Sequence, residues 1–177
     1  MTIYAEEFSG WATKLKTQDI PSDVQEVLNF LVKDISGVIV AARNEDYIQS
    51  FIKTYSNTGN TIALGHKNTF DVFSSSIICG TAAHGEDFDD TFEGNPMHVG
   101  ATMVSVFLSA GQFFKLNGDQ ILRGITIGAE LICRMALVAP TAMHKQGFHP
   151  TAICSVFGAA AGLGAVLGLN PKQLSSA

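Results

Sequence analysis

Pro21-Ser-Asp-Val-Gln-Glu-Val-Leu-Asn-Phe-Leu-Val-Lys-Asp-Ile-Ser-Gly-Val-Ile-Val-Ala-Ala42 carries apolar residues at Val24, Val27, Leu28, Leu31, Val32, Ile35, Val38 and Ile39. Steps of three and four put them on one face of a helix, because 3.6 residues complete a turn. Pro21 opens that helix, where its missing N–H is no loss, and Ser22 and Asp23 suit the positive end of the helix dipole. The same period recurs on both sides. Phe8, Trp11, Ala12 and Leu15 predict a helix over residues 4–16, and Tyr47, Ile48, Phe51, Ile52 and Tyr55 predict a short third one. Asn57-Thr-Gly-Asn60 reads as a turn and residues 61–64 as a brief extended segment. Further helices are predicted over residues 69–86, over 101–114, from near Asp119 to 138 with Pro140 just beyond, and from Pro150 onward. Residues 87–100 and 142–148 lack any period and read as polar loops. No segment alternates apolar and polar residues over a useful length, so the class is all-α.

Small residues gather in the last two helices, at Gly124, Gly128, Gly158, Gly162, Ala165 and Gly168. Each mid-helix glycine costs about 1 kcal/mol against alanine, and repeating that cost suggests backbones packed closely in a tight helical bundle. The chain's 177 residues suffice for one domain with a real core; 46% are hydrophobic and 15% charged, which argues against disorder. A net charge of −5 without any lysine or arginine cluster gives nucleic acid or an anionic membrane no electrostatic footprint. The apolar stretch over residues 156–169 falls short of a membrane span. The amino terminus shows neither the basic nor the apolar region of a signal peptide. Cys79, Cys133 and Cys154 are odd in number and widely spaced within apolar helical patterns, which predicts reduced, buried thiols in a cytoplasmic protein. An iron–sulfur site would want cysteines clustered in a loop. At the far end, Asn170 is placed as an N-cap and Pro171 as the first residue of a helix, with six residues following. So short a helix is unstable alone, and the expectation is a domain over residues 1–177 truncated at its C-terminal end.

The two polar loops hold the chemistry. The first, from His84 to His98, has three aspartates; the second contains His149. Both join helix ends, so they can meet at one rim of a bundle, where aspartate, threonine and two histidines could bind carboxylate oxygens and move protons near neutral pH. Two plainer readings compete. His84 and Asp87 stand three apart beside an acidic run, as metal ligands can, but neither the calcium-loop alternation nor HExxH is present, and no metal site is expected. The aspartates can also simply cap helices, a role that suits Asp89 or Asp90. His66 and His144 read as ordinary surface or loop histidines.

Gly80-Thr-Ala-Ala-His-Gly-Glu-Asp-Phe-Asp-Asp-Thr91, then His98-Val-Gly-Ala101, then Gly147-Phe-His-Pro-Thr151 together resemble the MmgE/PrpD family. That family includes 2-methylcitrate dehydratase, cis-aconitate decarboxylase and iminodisuccinate epimerase. The resemblance runs from the Phe8–Trp11 helix to the Leu-Gly-Leu-Asn-Pro171 end. It implies part of a large helical domain whose smaller α+β lid domain is absent here, and a cleft site between the two. It implies chains more than twice this length, a homodimer and no cofactor. By motif the family's site aspartate falls on Asp87, its threonine on Thr91 and its two histidines on His98 and His149. Its catalytic lysine and tyrosine lie beyond Ala177. Where the family often has proline after the first histidine, this chain has Val99, so the histidine is kept and the substrate subgroup is left open.

The chemistry the resemblance implies is proton transfer at a carbon next to a carboxylate. Such a C–H is far too weak an acid for unaided abstraction, so the site must stabilise the developing negative charge. Histidine, with an ordinary pKa near 6.5, can hold either protonation state. His98 and His149 are therefore expected to be the acid–base pair and, with Thr151, to bind the carboxylate. Asp87 would orient a histidine, Thr91 would donate a hydrogen bond, and the lysine would supply fixed positive charge. The expected function is the N-terminal portion of a lyase, dehydratase or decarboxylase, acting on a small di- or tricarboxylate such as 2-methylcitrate or cis-aconitate. An epimerase of an iminodisuccinate-like substrate is the alternative, and a non-catalytic helical remnant the second.

Overall fold

The computed structural model describes residues 3–55 and 59–177, so the first part of the turn expected at Asn57 lies outside the described residues. Nine helices are present among them: α1 Tyr4–Ala12, α2 Ser22–Ala41, α3 Asp46–Tyr55, α4 Val72–His84, α5 Val99–Phe114, α6 Gly118–Val138, α7 Ala142–Lys145, α8 Pro150–Val166 and α9 Pro171–Ser176. The two strands, β1 Thr61–Ile62 and β2 Thr69–Phe70, form one short antiparallel ladder. The fold is all-α.

α5 is the central post, packed against α4, α6 and α8, with α2 lying across α4 and α5. The main core gathers Ile35 and Ile39 of α2, Ile78 and Cys79 of α4, Met103 and Phe107 of α5, Ile132 of α6 and Cys154 of α8. A second, smaller core joins Ala12 of α1, Ile127 of α6, Ala161 and Ala165 of α8, and Leu174 of α9. The short α9 is thus held by packing: Leu174 is buried, and Asn170 caps it by accepting from the N–H of Gln173 at 2.9 Å.

Gly124 and Gly128 of α6 pair with Gly162 and Gly158 of α8 across their interface. A Cβ on Gly158 would come within 2.8 Å of the Gly128 carbonyl oxygen, and one on Gly162 would collide with that of Gly124. Their backbones touch, as the glycine content predicts. Gly168 does something different: at φ +88° it ends α8 in the left-handed region.

Several boundaries differ from the sequence reading. The first helix stops at Ala12 rather than 16, giving way to a 3₁₀ turn over Thr17–Asp19. Residues 69–70, expected to open the fourth helix, are strand. Asp71 then starts α4 by accepting from the N–H groups of Phe73 and Ser74 at 2.9 and 3.0 Å. α5 begins two residues early, at Val99, and the second polar loop contains the one-turn α7. All three cysteines are free, but Cys133 is only half-buried. Burial pushes its thiol, first of all causes, up to about 11. Among the described residues no helix is long and apolar enough to cross a membrane.

Candidate active site

Three helix ends converge on three imidazoles. His84 is the last residue of α4, His98 is the N-cap of α5 and His149 the N-cap of α8. Their ring centroids lie 4.7 Å apart for His84–His98, 5.3 Å for His84–His149 and 6.3 Å for His98–His149. The two loops that the sequence singled out are therefore adjacent. The backbone N–H of His98 also donates to the hydroxyl of Thr151 at 3.0 Å, tying the start of α5 to the first turn of α8.

The connection between α4 and α5 is well anchored. Tyr47 of α3 donates its hydroxyl to Glu86 Oε1 at 2.8 Å, and burial together with that carboxylate pushes its phenol up to about 12. At the other end Met97 is fully buried, and Asn95 donates its side-chain amide to the carbonyl of Ala136 at 3.0 Å. Between these anchors Asp87 takes a left-handed φ of +57°, a conformation aspartate tolerates better than most residues. That turn sends Phe88 outward, 77% exposed, and Asp89 inward.

The three aspartates then have three different fates. Asp89, its side chain 0% exposed, accepts from His84 Nδ1 at 2.9 Å through Oδ2. Its other oxygen, Oδ1, lies 3.4 Å from His98 Nδ1, and among the described residues neither of that second pair has any other hydrogen-bond partner. Asp90 caps α5, accepting from Gly100 N–H at 2.7 Å and Val99 N–H at 3.2 Å. Burial raises its pKa, against those two hydrogen bonds. Asp87, 82% exposed, approaches His98 Nε2 from outside at 3.8 Å. His149 is exposed; burial first, then the neighbouring His84, His98 and His144, hold its pKa below the ordinary 6.5, with Asp87 opposing.

Of the residues expected from sequence, the structure brings together His98, His149, Thr151 and, at the edge, Asp87. Thr91 is exposed and makes no described contact with the histidines. His84 and Asp89 belong to the cluster but were not among the expected site residues, although both lie in the quoted motif. Nothing in a run of three aspartates distinguishes the one that turns inward.

His84, Asp87, Asp89 and His98 could together hold a metal ion, each offering one atom, all within 4.8 Å of one another. Two ligands of one zinc lie at most about 4.2 Å apart, twice a Zn–N bond. The widest separations would have to close, and the His84–Asp89 hydrogen bond would have to open.

Beside the histidines a groove of about 400 Å³ runs between α4 and the start of α8 over α5.

Residues 6–177 match the MmgE/PrpD N-terminal domain. A cis-aconitate decarboxylase of Aspergillus terreus is 23% identical over 181 residues, covering 97% of this chain and 37% of that protein. A cis-aconitate decarboxylase-like protein, oryM, of Aspergillus oryzae is also 23% identical, over 97% of this chain and 38% of its own length. The chain thus spans less than two-fifths of the curated relatives it matches. With the family's domain aligned over all but the first five residues, and its histidines meeting at one rim of the bundle, the chain belongs to the MmgE/PrpD family.

Proposed function

We propose that this domain supplies the acid–base half of a lyase, a dehydratase or decarboxylase, that transfers a proton at a carbon next to a carboxylate of a small di- or tricarboxylate. The observation that carries the reading is the convergence of His84, His98 and His149 around the buried Asp89 carboxylate. By accepting from His84 Nδ1–H, Asp89 leaves that ring's Nε2 free to take a proton. The same carboxylate faces His98 Nδ1, so one group orients two rings. His149, its pKa held low, stands as the neutral base at pH 7. The N–H groups of Thr151 and Ala152, which follow Pro150 in the first turn of α8, lie at the same rim, where the positive end of a 17-residue helix suits a substrate carboxylate. Asp87 approaches His98 from the solvent side, and Thr151 holds His98 in place. Thr91 would act only on a substrate reaching the outer loop. No cofactor or metal enters this chemistry. Substrates of the di- and tricarboxylate kind are suggested by the cis-aconitate decarboxylases named above.

An epimerase of an iminodisuccinate-like substrate is the second reading, because three imidazoles around one volume can return a proton from a different side than the one that removed it.

In the longest natural form of the protein, His149→Ala, His98→Ala and Asp87→Ala should each lower turnover of methylcitrate, cis-aconitate or iminodisuccinate about 10²–10⁴-fold with the thermal midpoint little changed. Activity lost only in proportion to folded protein would make these residues structural and end the catalytic reading. Near-stoichiometric zinc, iron or manganese in protein purified without chelators would end the metal-free one.

A further inference from the structure

We infer that the groove beside the histidines seats the non-reacting arm of the substrate, that this arm is short and uncharged, and that Gly80 sets the size it can have. The inference rests on the acid–base reading above. Ser76, Gly80 and His84 succeed one another at four-residue steps along one face of α4, with Ala101 and Ser105 of α5 below and Ala152 of α8 opposite. From His84 to Gly80 the helix advances about 6 Å, so a ligand held at the imidazoles passes over Gly80 with its first few atoms.

Packing does not explain the glycine. Gly80 is deep inside α4, where alanine is the better helix former, and the nearest atom a Cβ would meet is Ser105 Cβ at 3.9 Å, an ordinary contact. Gly124, Gly128, Gly158 and Gly162, by contrast, have a backbone oxygen or a core side chain in that place. What the missing side chain leaves is width in the groove. Ser105, facing Gly80, adds an independent sign of a ligand: it is 1% exposed and its hydroxyl has no hydrogen-bond partner among the described residues. A buried hydroxyl left without a partner calls for an explanation, and an oxygen on the arm would supply one. Among the described residues the lining holds no lysine or arginine, so away from His84 and His149 at its mouth nothing would neutralise a second carboxylate. The charged end of the substrate belongs at the histidines and the helix terminus, and the uncharged arm in the groove.

The test measures binding of succinate, 2-ethylsuccinate and 2-(methoxymethyl)succinate to the full chain by calorimetry or ligand-observed NMR. The wild type should prefer both substituted acids to succinate. Gly80→Val should remove or reverse that preference by tenfold or more, the scale on which a pocket resolves a methylene or two, while leaving succinate itself unchanged. Gly80→Ala should fall between, with an unchanged or raised thermal midpoint. Ala152→Leu, at an exposed position on the opposite wall, should act like Gly80→Val even if that variant folds poorly. Ser105→Ala should weaken only the methoxymethyl compound. Equal relative affinities in wild type and all variants would overturn the inference while leaving the acid–base reading intact. If wild type bound none of the three, the carboxylate reading would fall and this inference with it.

Discussion

Asp89 has two oxygens and presents one to each of two imidazoles, so a single buried carboxylate positions both His84 and His98. His149 has no such partner. Its surroundings are desolvation and three other histidines, opposed by Asp87 alone, and they favour the neutral ring. The sign follows: with a pKa below 6.5, His149 is deprotonated at neutral pH, and a rate that needs it as a base falls only when pH drops through that lower value. The acid limb of kcat/KM should therefore lie below 6.5. NMR titration of the ring in the folded chain checks the cause directly. His84→Asn removes a repelling neighbour and should move the pKa of His149 up toward 6.5, whereas Asp87→Asn removes the one opposing charge and should move it further down. Shifts in the same direction would show that the rings are not arranged as described. His98 and His149 were legible in the sequence because only two polar loops interrupt an apolar chain, whereas His84 was not among the expected site residues. Of the three aspartates, the helix-capping role offered for Asp89 or Asp90 is met by Asp90, whereas the placing of Asp89 between two histidines was not legible. Which of them points inward is decided by the left-handed turn at Asp87, a backbone property that acidic residues on both sides of Phe88 do not announce.

At the scale of elements, the long helices were readable because each buries a face against α5 or its neighbours, and burial imposes the 3.6-residue period. The misreadings fall where no such face exists. Thr69–Phe70 pairs with Thr61–Ile62 over two residues, too few for an alternation to register. That ladder is fixed instead by a distant side chain: Gln112 of α5 donates to the carbonyl of Ile62 and accepts from its N–H, both at 3.0 Å. Asp90 caps α5 from eight residues before its own N-cap, which no local capping pattern encodes. The glycines separate by what surrounds them. Gly158→Ala should destabilise the fold by about 1–3 kcal/mol, because the new Cβ lands on the Gly128 carbonyl and on Ile132, and overpacking forces the helices apart. Gly37→Ala, in the middle of α2 with nothing within 4 Å of the added carbon, should instead stabilise by up to about 1 kcal/mol. Urea unfolding of the two variants decides it; a Gly158→Ala protein as stable as wild type would mean that α6 and α8 are not in backbone contact.

The molecule as a whole has more apolar surface than its own core uses. α2 turns Leu28, Ile35 and Ile39 inward, yet Val27 and Phe30 stand exposed on its other side, and Phe88 of the site loop projects beside them. Together with Leu31 and Val38 these residues line a groove of about 1080 Å³, far larger than the one beside the histidines but holding none of them. A helix apolar on both sides is normally covered on both, and exposed patches of more than a few hundred Å² usually find a partner or precipitate. The 177-residue chain alone is therefore expected to self-associate in a concentration-dependent way, and Phe30→Glu combined with Val27→Lys should reduce that association without lowering the thermal midpoint, since neither side chain is buried in the core. Light scattering across a dilution series measures it. The consequence reaches the chemistry, because Phe88 lies between Asp87 and Asp89, and whatever covers it bears on the turn that directs one aspartate inward and the other outward. A chain that stays monodisperse and monomeric at every concentration, with Phe30 and Phe88 both in water, would show that this face needs no cover and that the site loop holds its shape unaided.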